Sequence, residues 1–172
     1  VEGGDPVRLT WYPAPATSHG WTPDGKNILY SSNRETAPSA YEHLWIVSKE
    51  GGYSTLLSKQ WGTDGSFSPD GKKIVADRIS RWDKEWRNYR GGQNTSLYIL
   101  NLDDMSEILI PNERTVDIQP VWLDDMIYFL SDRDWISNIW SYSTKTGELK
   151  QVTKFSGSDI KWLNAGAGKL TF

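Results

Sequence analysis

The densest chemistry in the chain is EWRNYRGGQN, Glu85 to Asn94, which carries two aromatics, two arginines and an adjacent pair of glycines. Arginines beside glycines suit an anion, because the guanidinium fork matches a carboxylate and glycine lets backbone N–H groups approach closely. A phosphate cradle does not fit: no Gly-Lys-Ser/Thr follows, and no helical pattern opens after the glycines. Two readings stay open. In one, Trp82, Trp86, Arg87, Tyr89, Arg90, Gly91 and Gly92 form a patch that holds a peptide or its carboxylate. In the other, the same aromatics pin the loop to its neighbours while Gly91-Gly92 permit a sharp bend. The packing role is the preferred one.

Other residues that do chemistry elsewhere are sparse. His19 and His43 are the only histidines, and no Gly-x-Ser-x-Gly elbow accompanies them, so both read as loop hydrogen-bonders rather than catalytic bases. With no cysteine and two distant histidines, no transition-metal site and no cofactor is expected. Asp103-Asp104 and Asp124-Asp125 lack the spacing of a calcium loop and read as turn caps. Ser32-Asn33-Arg34-Glu35 recurs as Ser131-Asp132-Arg133-Asp134, and recurrence favours a stabilising role built on an Arg–carboxylate pair. Asn94-Thr95-Ser96 is a formal glycosylation sequon, weak evidence without a secretory signal.

The elements that position these residues come from a repeat. GWTPDGKNILYSS (20–32), SFSPDGKKIVADR (66–78) and PVWLDDMIYFLSD (120–132) align, each an apolar or aromatic start, a turn and a strand. Trp162 is read as the start of a fourth copy, so the aromatic starts lie 46, 55 and 40 residues apart. Second runs follow (HLWIVSKEGG, LYILNLDD, NIWSYSTKTG), then short final runs (STLLSK, SEILIP, ELKQVTK). Four short strands per roughly 40–50 residues is the pattern of a β-propeller blade. Ten tryptophans in 172 residues suit such pleated surfaces. The fold expected is an all-β propeller of four-stranded antiparallel blades, three complete and partial ones at both ends.

The boundaries that follow are 1–13 for the end of a preceding blade, 14–60, 61–112 and 113–155 for whole blades, and 156–172 for the start of the next. The surplus of the middle unit lies in RISRWDKEWRNYRGGQNTS (78–96), which places the opening stretch on the connection between its second and third strands. His19, at the end of the loop PAPATSH (13–19), falls at the rim of the central channel and joins the candidate peptide contacts. Three blades do not close a ring, so the expected partners are the remaining blades of a longer chain, with a second copy or an end-to-end closure as alternatives. The net charge of −3 gives no argument for nucleic acid, and no apolar run approaches a membrane span.

WRNYRGGQNTSLYIL resembles the Trp-x-x-Tyr-Arg-Gly-Gly segment in the six-bladed propeller of tricorn-type serine proteases. GWTPDGK, SFSPDGK and YFLSDRD…NIWSYSTKTGELKQVT are similar to that family too, and more loosely to TolB-like propellers. The resemblance implies a non-catalytic scaffold and channel for peptides, joined to PDZ-like and peptidase modules that carry the catalytic serine. It also implies either a cytoplasmic or a periplasmic setting. Tricorn-type propellers use basic residues near the channel mouth to hold a peptide carboxylate, yet no Arg or Lys lies between Arg8 and Lys26. The alternatives are a TolB-like protein-contact propeller and, last, a glycosidase-like propeller using Asp64, Asp117 and Asp159.

Overall fold

The computed structural model describes residues 3–36, 41–79 and 88–172, and every regular element among them is a strand. β1 (Thr17–Trp21), β2 (Asn27–Ser32), β3 (His43–Ser48) and β4 (Thr55–Trp61) form one antiparallel sheet in chain order. β5 (Gly65–Phe67), β6 (Lys73–Asp77), β7 (Leu97–Asn101) and β8 (Glu107–Leu109) repeat it. So do β9 (Asp117–Leu123), β10 (Met126–Ser131), β11 (Asn138–Ser143) and β12 (Leu149–Gln151). β13 (Asn164–Gly166) and β14 (Lys169–Thr171) add a two-stranded hairpin. Sheets approach one another mainly through their first strands, β1, β5, β9 and β13, which therefore form the inner edge of the array.

The repeated turns have a chemical cause. In Thr22-Pro23-Asp24-Gly25, the Asp24 carboxylate accepts from the Thr22 hydroxyl at 2.6 Å and the Lys26 amide at 3.0 Å. Ser68-Pro69-Asp70-Gly71 copies the device at 2.7 and 3.0 Å, and these bonds hold both aspartates below the usual carboxylate pKa. Gly25 and Gly71 sit at φ of 65° and 71°, where a Cβ costs about 1–2 kcal/mol. Gly71→Ala should therefore lower the unfolding free energy by about 1–2 kcal/mol, read as a drop in the urea midpoint at unchanged slope. The third turn has no glycine, and Asp124 takes the left-handed conformation itself at φ 49°.

Period-two alternation sends successive side chains to opposite faces of each sheet, so every sheet feeds two apolar layers. Leu29, Leu44, Ile74 and Leu100 fill the space between the first and second sheets. Val75, Leu97, Ile99 and Ile110 meet Trp122, Ile127 and Phe129 between the second and third. Val121, Leu130 and Ile139 pack on Ile160 and Leu163 before the final hairpin. On the outward face of the first sheet, Tyr30, Trp45 and Val47 are covered by Leu9.

Two expectations shift in the structure. Trp162 is not the start of the fourth copy: it precedes β13 and is 73% exposed. Register places Ala165 where Trp122 stands in the third sheet, because Gly166 pairs Lys169 as Leu123 pairs Met126. Buried Leu163, next to the tryptophan, supplies the apolar contact instead. The run GGDPVRLTWYP, within the 1–13 expected to end a preceding blade, forms no strand, since no described strand lies beside it to complete a ladder.

Candidate functional site

The candidate contacts fall in separate places. Trp82, Trp86 and Arg87 lie outside the described residues. Arg90 reaches from the second sheet to the end of β10 in the third. Its Nη1 donates to both carboxylate oxygens of Asp132 at 3.0 Å, and its Nη2 donates to the Asp132 carbonyl at 2.9 Å. Asp132 also accepts from the backbone amides of Val116 at 3.0 Å and Asn88 at 3.1 Å. The Arg90 guanidinium rests 5.2 Å from the centre of the Trp135 ring. It is a clasp between sheets, and its donors are already directed at protein.

The chain bends at these glycines as expected, the Asn94 amide donating to the Gly91 carbonyl at 3.3 Å. Neither Gly91 nor Gly92 has positive φ, so the turn does not require glycine's left-handed freedom. A Cβ on Gly91 would instead fall within the Tyr89 ring and hydroxyl, while Gly92 faces open space. Gly91 is thus the bed on which Tyr89 lies. Gly91→Ala should displace that ring at a cost of roughly 1–3 kcal/mol, whereas Gly92→Ala should leave the melting temperature nearly unchanged. The sequon is engaged as well: Asn94 Nδ2 donates to the Thr115 carbonyl at 3.1 Å and to Asn112 Oδ1 at 3.3 Å.

His19 sits on a bulge in β1 and pairs through Nδ1 with Asp64 Oδ1 at 3.0 Å, bridging the first two sheets near their inner edge. Its Nε2 is buried with no hydrogen-bond partner among the described residues. Beside it, Asp77 Oδ1 accepts the amides of Thr63 (3.1 Å) and Asp64 (2.9 Å) and the Thr63 hydroxyl. Burial pushes the Asp77 pKa up to about 7, helped by the charge of Asp64 and opposed by those hydrogen bonds. The cluster joins β1, β5 and β6. It does not bring His19 to Tyr89 or Arg90, which belong to the boundary with the third sheet.

That third sheet holds the arginine–carboxylate pair anticipated from the recurring motif. Arg133 Nη2 donates to Asp117 Oδ2 and to the Pro111 carbonyl, both at 2.6 Å. Asp117 is fully buried and also accepts from Asn112 Nδ2 at 2.7 Å and from the Ser131 and Thr115 hydroxyls. Burial raises its pKa, with Arg133 the main opposing influence. Arg34, in the matching position, lies 4.5 Å from the ring centres of Tyr12 and Trp45 and donates to the Tyr30 hydroxyl at 3.2 Å. The repeated arginine therefore packs on aromatics in both sheets and takes a buried carboxylate in only one.

Of the acidic residues weighed for a glycosidase, Asp64 is paired with His19, Asp117 is inside its network, and Asp159 accepts the Ser137 amide at 2.9 Å. Among the described residues no group of three or more His, Asp or Glu side chains is placed to hold a metal ion. Asp77 belongs to no motif, and its only signal in the sequence is a lone carboxylate closing the apolar Ile-Val-Ala run of KIVAD.

A groove of about 670 Å³ opens between the last residues of β4 and the lead-in to β7, away from the inner edge. Its walls include Lys59, Trp61, Arg78, Ser96 and Tyr98. Arg78 is bonded to Glu107 and lies 4.0 Å from the centre of the Tyr98 ring. Trp61 stacks on Tyr41 with ring centres 3.9 Å apart.

Radially arranged four-stranded antiparallel sheets, joined through their first strands over layered apolar cores, define a β-propeller. The chain belongs to the family of tricorn protease N-terminal β-propeller domains, whose model matches residues 1–172. It is 27% identical over 165 residues to tricorn protease homolog 1 of Streptomyces coelicolor, covering 91% of this chain and 15% of that one. With the tricorn protease of Thermoplasma acidophilum it shares 25% identity over 179 residues, covering 99% of this chain and 16% of the other. The chain thus spans about a sixth of the length of these relatives. The crystal structure of TolB from Acinetobacter baumannii superposes on 85% of the chain and 34% of its own, with a TM-score of 0.65 at 24% identity.

Proposed function

We propose that these blades are the non-catalytic wall of a tricorn-like serine peptidase, a scaffold and channel through which short peptides reach or leave a distant active site. The supporting observation is the full-length match to a protease propeller family, combined with side chains already engaged in holding sheets together. In this reading residues 14–60, 61–112 and 113–155 are three blades, and 1–13 and 156–172 are parts of their neighbours. Further blades, PDZ-like and peptidase modules of a longer chain are the partners.

The channel is tested by narrowing it in the full-length protein. Trp21 on β1 is 57% exposed, and this segment has no cysteine. Trp21→Cys modified with a bulky polyethylene-glycol maleimide should slow hydrolysis of peptides of several residues more than that of a minimal chromogenic substrate. Equal rates before and after modification would rule out passage along the inner strands. The TolB likeness favours a second reading, a propeller that only contacts other proteins. A full-length product without peptidase activity would decide for it.

A further inference from the structure

We propose that the end of the array where the first and third strands begin is a docking surface. Its occupant is an uncharged, apolar face of a folded module elsewhere in the parent chain. The identity of the occupant rests on the reading above; the location of the surface does not.

Strands alternate in direction within each sheet. The connections into first and third strands therefore lie at one end of the array, and the tight turns at the other. Five described tryptophans are well exposed, and four of them, Trp11, Trp61, Trp135 and Trp162, stand at the first of these ends. Trp21 stands at the other, among charged turns such as those at Asp24, Asp70 and Asp104.

Two of the four are held at a cost to the backbone. Trp135 and Trp162 have φ of 64° and 65°, a left-handed conformation that is an outlier for a bulky side chain. The indoles gain little from their own chain in return, being 66% and 73% exposed. Such strain persists only where the surroundings enforce it, and here they do. The Ser137 amide donates to Asp159 Oδ1 at 2.9 Å and the Ile160 amide to the Ser137 carbonyl at 2.8 Å, which ties the two loops together. The Trp135 amide donates to the Asp132 carbonyl at 3.0 Å, and Arg90 from the second sheet lies against the ring. Indoles on loops already ordered suit burial in a partner, because less entropy is lost on docking.

Charge narrows the chemistry of that partner. Arg78, Arg90 and Arg133 reach this end and are each paired with a carboxylate. Among the described residues no cluster of free arginines is left here for a nucleic acid or an anionic membrane. Exposed tryptophan beside compensated charge matches the centre of a protein–protein interface. The chain spans about a sixth of its tricorn relatives, so most of each relative lies outside the matched span. A module tethered in the same chain docks at high effective concentration.

The test puts the photo-crosslinking amino acid p-benzoylphenylalanine in place of Trp135 or Trp162, one at a time, in the full-length protein. Crosslinked peptides are read by mass spectrometry. Both positions should join a peptide from a module outside the propeller. Crosslinks confined to the propeller's own blades, crosslinks to a second copy, or none at either position would overturn the proposal. A mixture of isotopically heavy and light protein tells a second copy from the same chain. Combining Trp135→Gly with Trp162→Gly supplies an independent sign. Glycine takes positive φ without strain, so indoles that face only water should be replaceable with no loss of stability. Docked indoles should not be: limited trypsin should then release the propeller at least about tenfold faster than from the parent protein. Unchanged or slower release would overturn docking. Failure with a module present leaves the channel-narrowing experiment untouched, whereas a full-length product with no such module would sink the reading above and this occupant together.

Discussion

Arg90→Ala should destabilise the protein by about 2–4 kcal/mol, read as a drop in the urea midpoint at constant slope. The substitution strips two bonds from the Asp132 carboxylate and one from its carbonyl, and leaves a side chain only 10% exposed with its charge uncompensated. Breaking a fully buried pair from one side costs about 3–5 kcal/mol; Arg90 is 28% exposed, so water recovers part of that. Arg90→Lys should lie between, since one ammonium cannot serve the carboxylate and the carbonyl with the same geometry. Asp132→Ala should be similarly damaging, because the buried Val116 amide loses its acceptor. If Arg90→Ala stayed within about 0.5 kcal/mol of the parent, the residue would be free to serve a ligand. That outcome would return EWRNYRGGQN to the status of a binding loop.

The division between what the chain revealed and what it concealed follows from the range of the interactions. Hairpin turns are local, and TPDGK and SPDGK state their own hydrogen bonds through Asp24 and Asp70. The four-strand order is written in the alternation of each unit, so the propeller was legible. Trp162 has the aromatic identity of a strand start without its register, and only the pairing of Gly166 with Lys169 fixes which residue faces the layer. Site residues were less legible because their partners are remote. Arg90 and Asp132 are 42 positions apart, and nothing in either segment names the other. The recurring arginine was recognised as stabilising, but Asp117, its carboxylate in the third sheet, lies 16 positions away. A glycine pair advertises backbone freedom, whereas Gly91 is set by the ring of Tyr89, a steric matter no propensity encodes.

Asp77→Asn should offset the usual cost of removing a hydrogen-bonded carboxylate, and do so progressively as pH rises from about 4 to about 8. Asp77 has its folded-state pKa raised to about 7 by burial and by Asp64, against about 3.9 in the unfolded chain. Between those values the unfolded state releases a proton that the folded state keeps, so stability falls as pH rises through this window. The contribution is present in full below about pH 4 and lost by about pH 8; a shift of this size corresponds to roughly 4 kcal/mol. Asparagine keeps an Oδ1 for the Thr63 and Asp64 donors and cannot ionise. The difference in unfolding free energy between variant and parent should therefore move toward the variant by that amount between pH 4 and pH 8. Taking the difference cancels Asp117, whose raised pKa acts in the same direction in both proteins. His19→Asn supplies the contrast: it removes the Asp64 partner but leaves Asp77 buried, so the pH slope assigned to Asp77 should survive it. A flat difference for Asp77→Asn across this range would mean that Asp77 is ionised at no cost. The hydrogen bonds from Thr63 and Asp64 would then fully offset the cost of burying the charge.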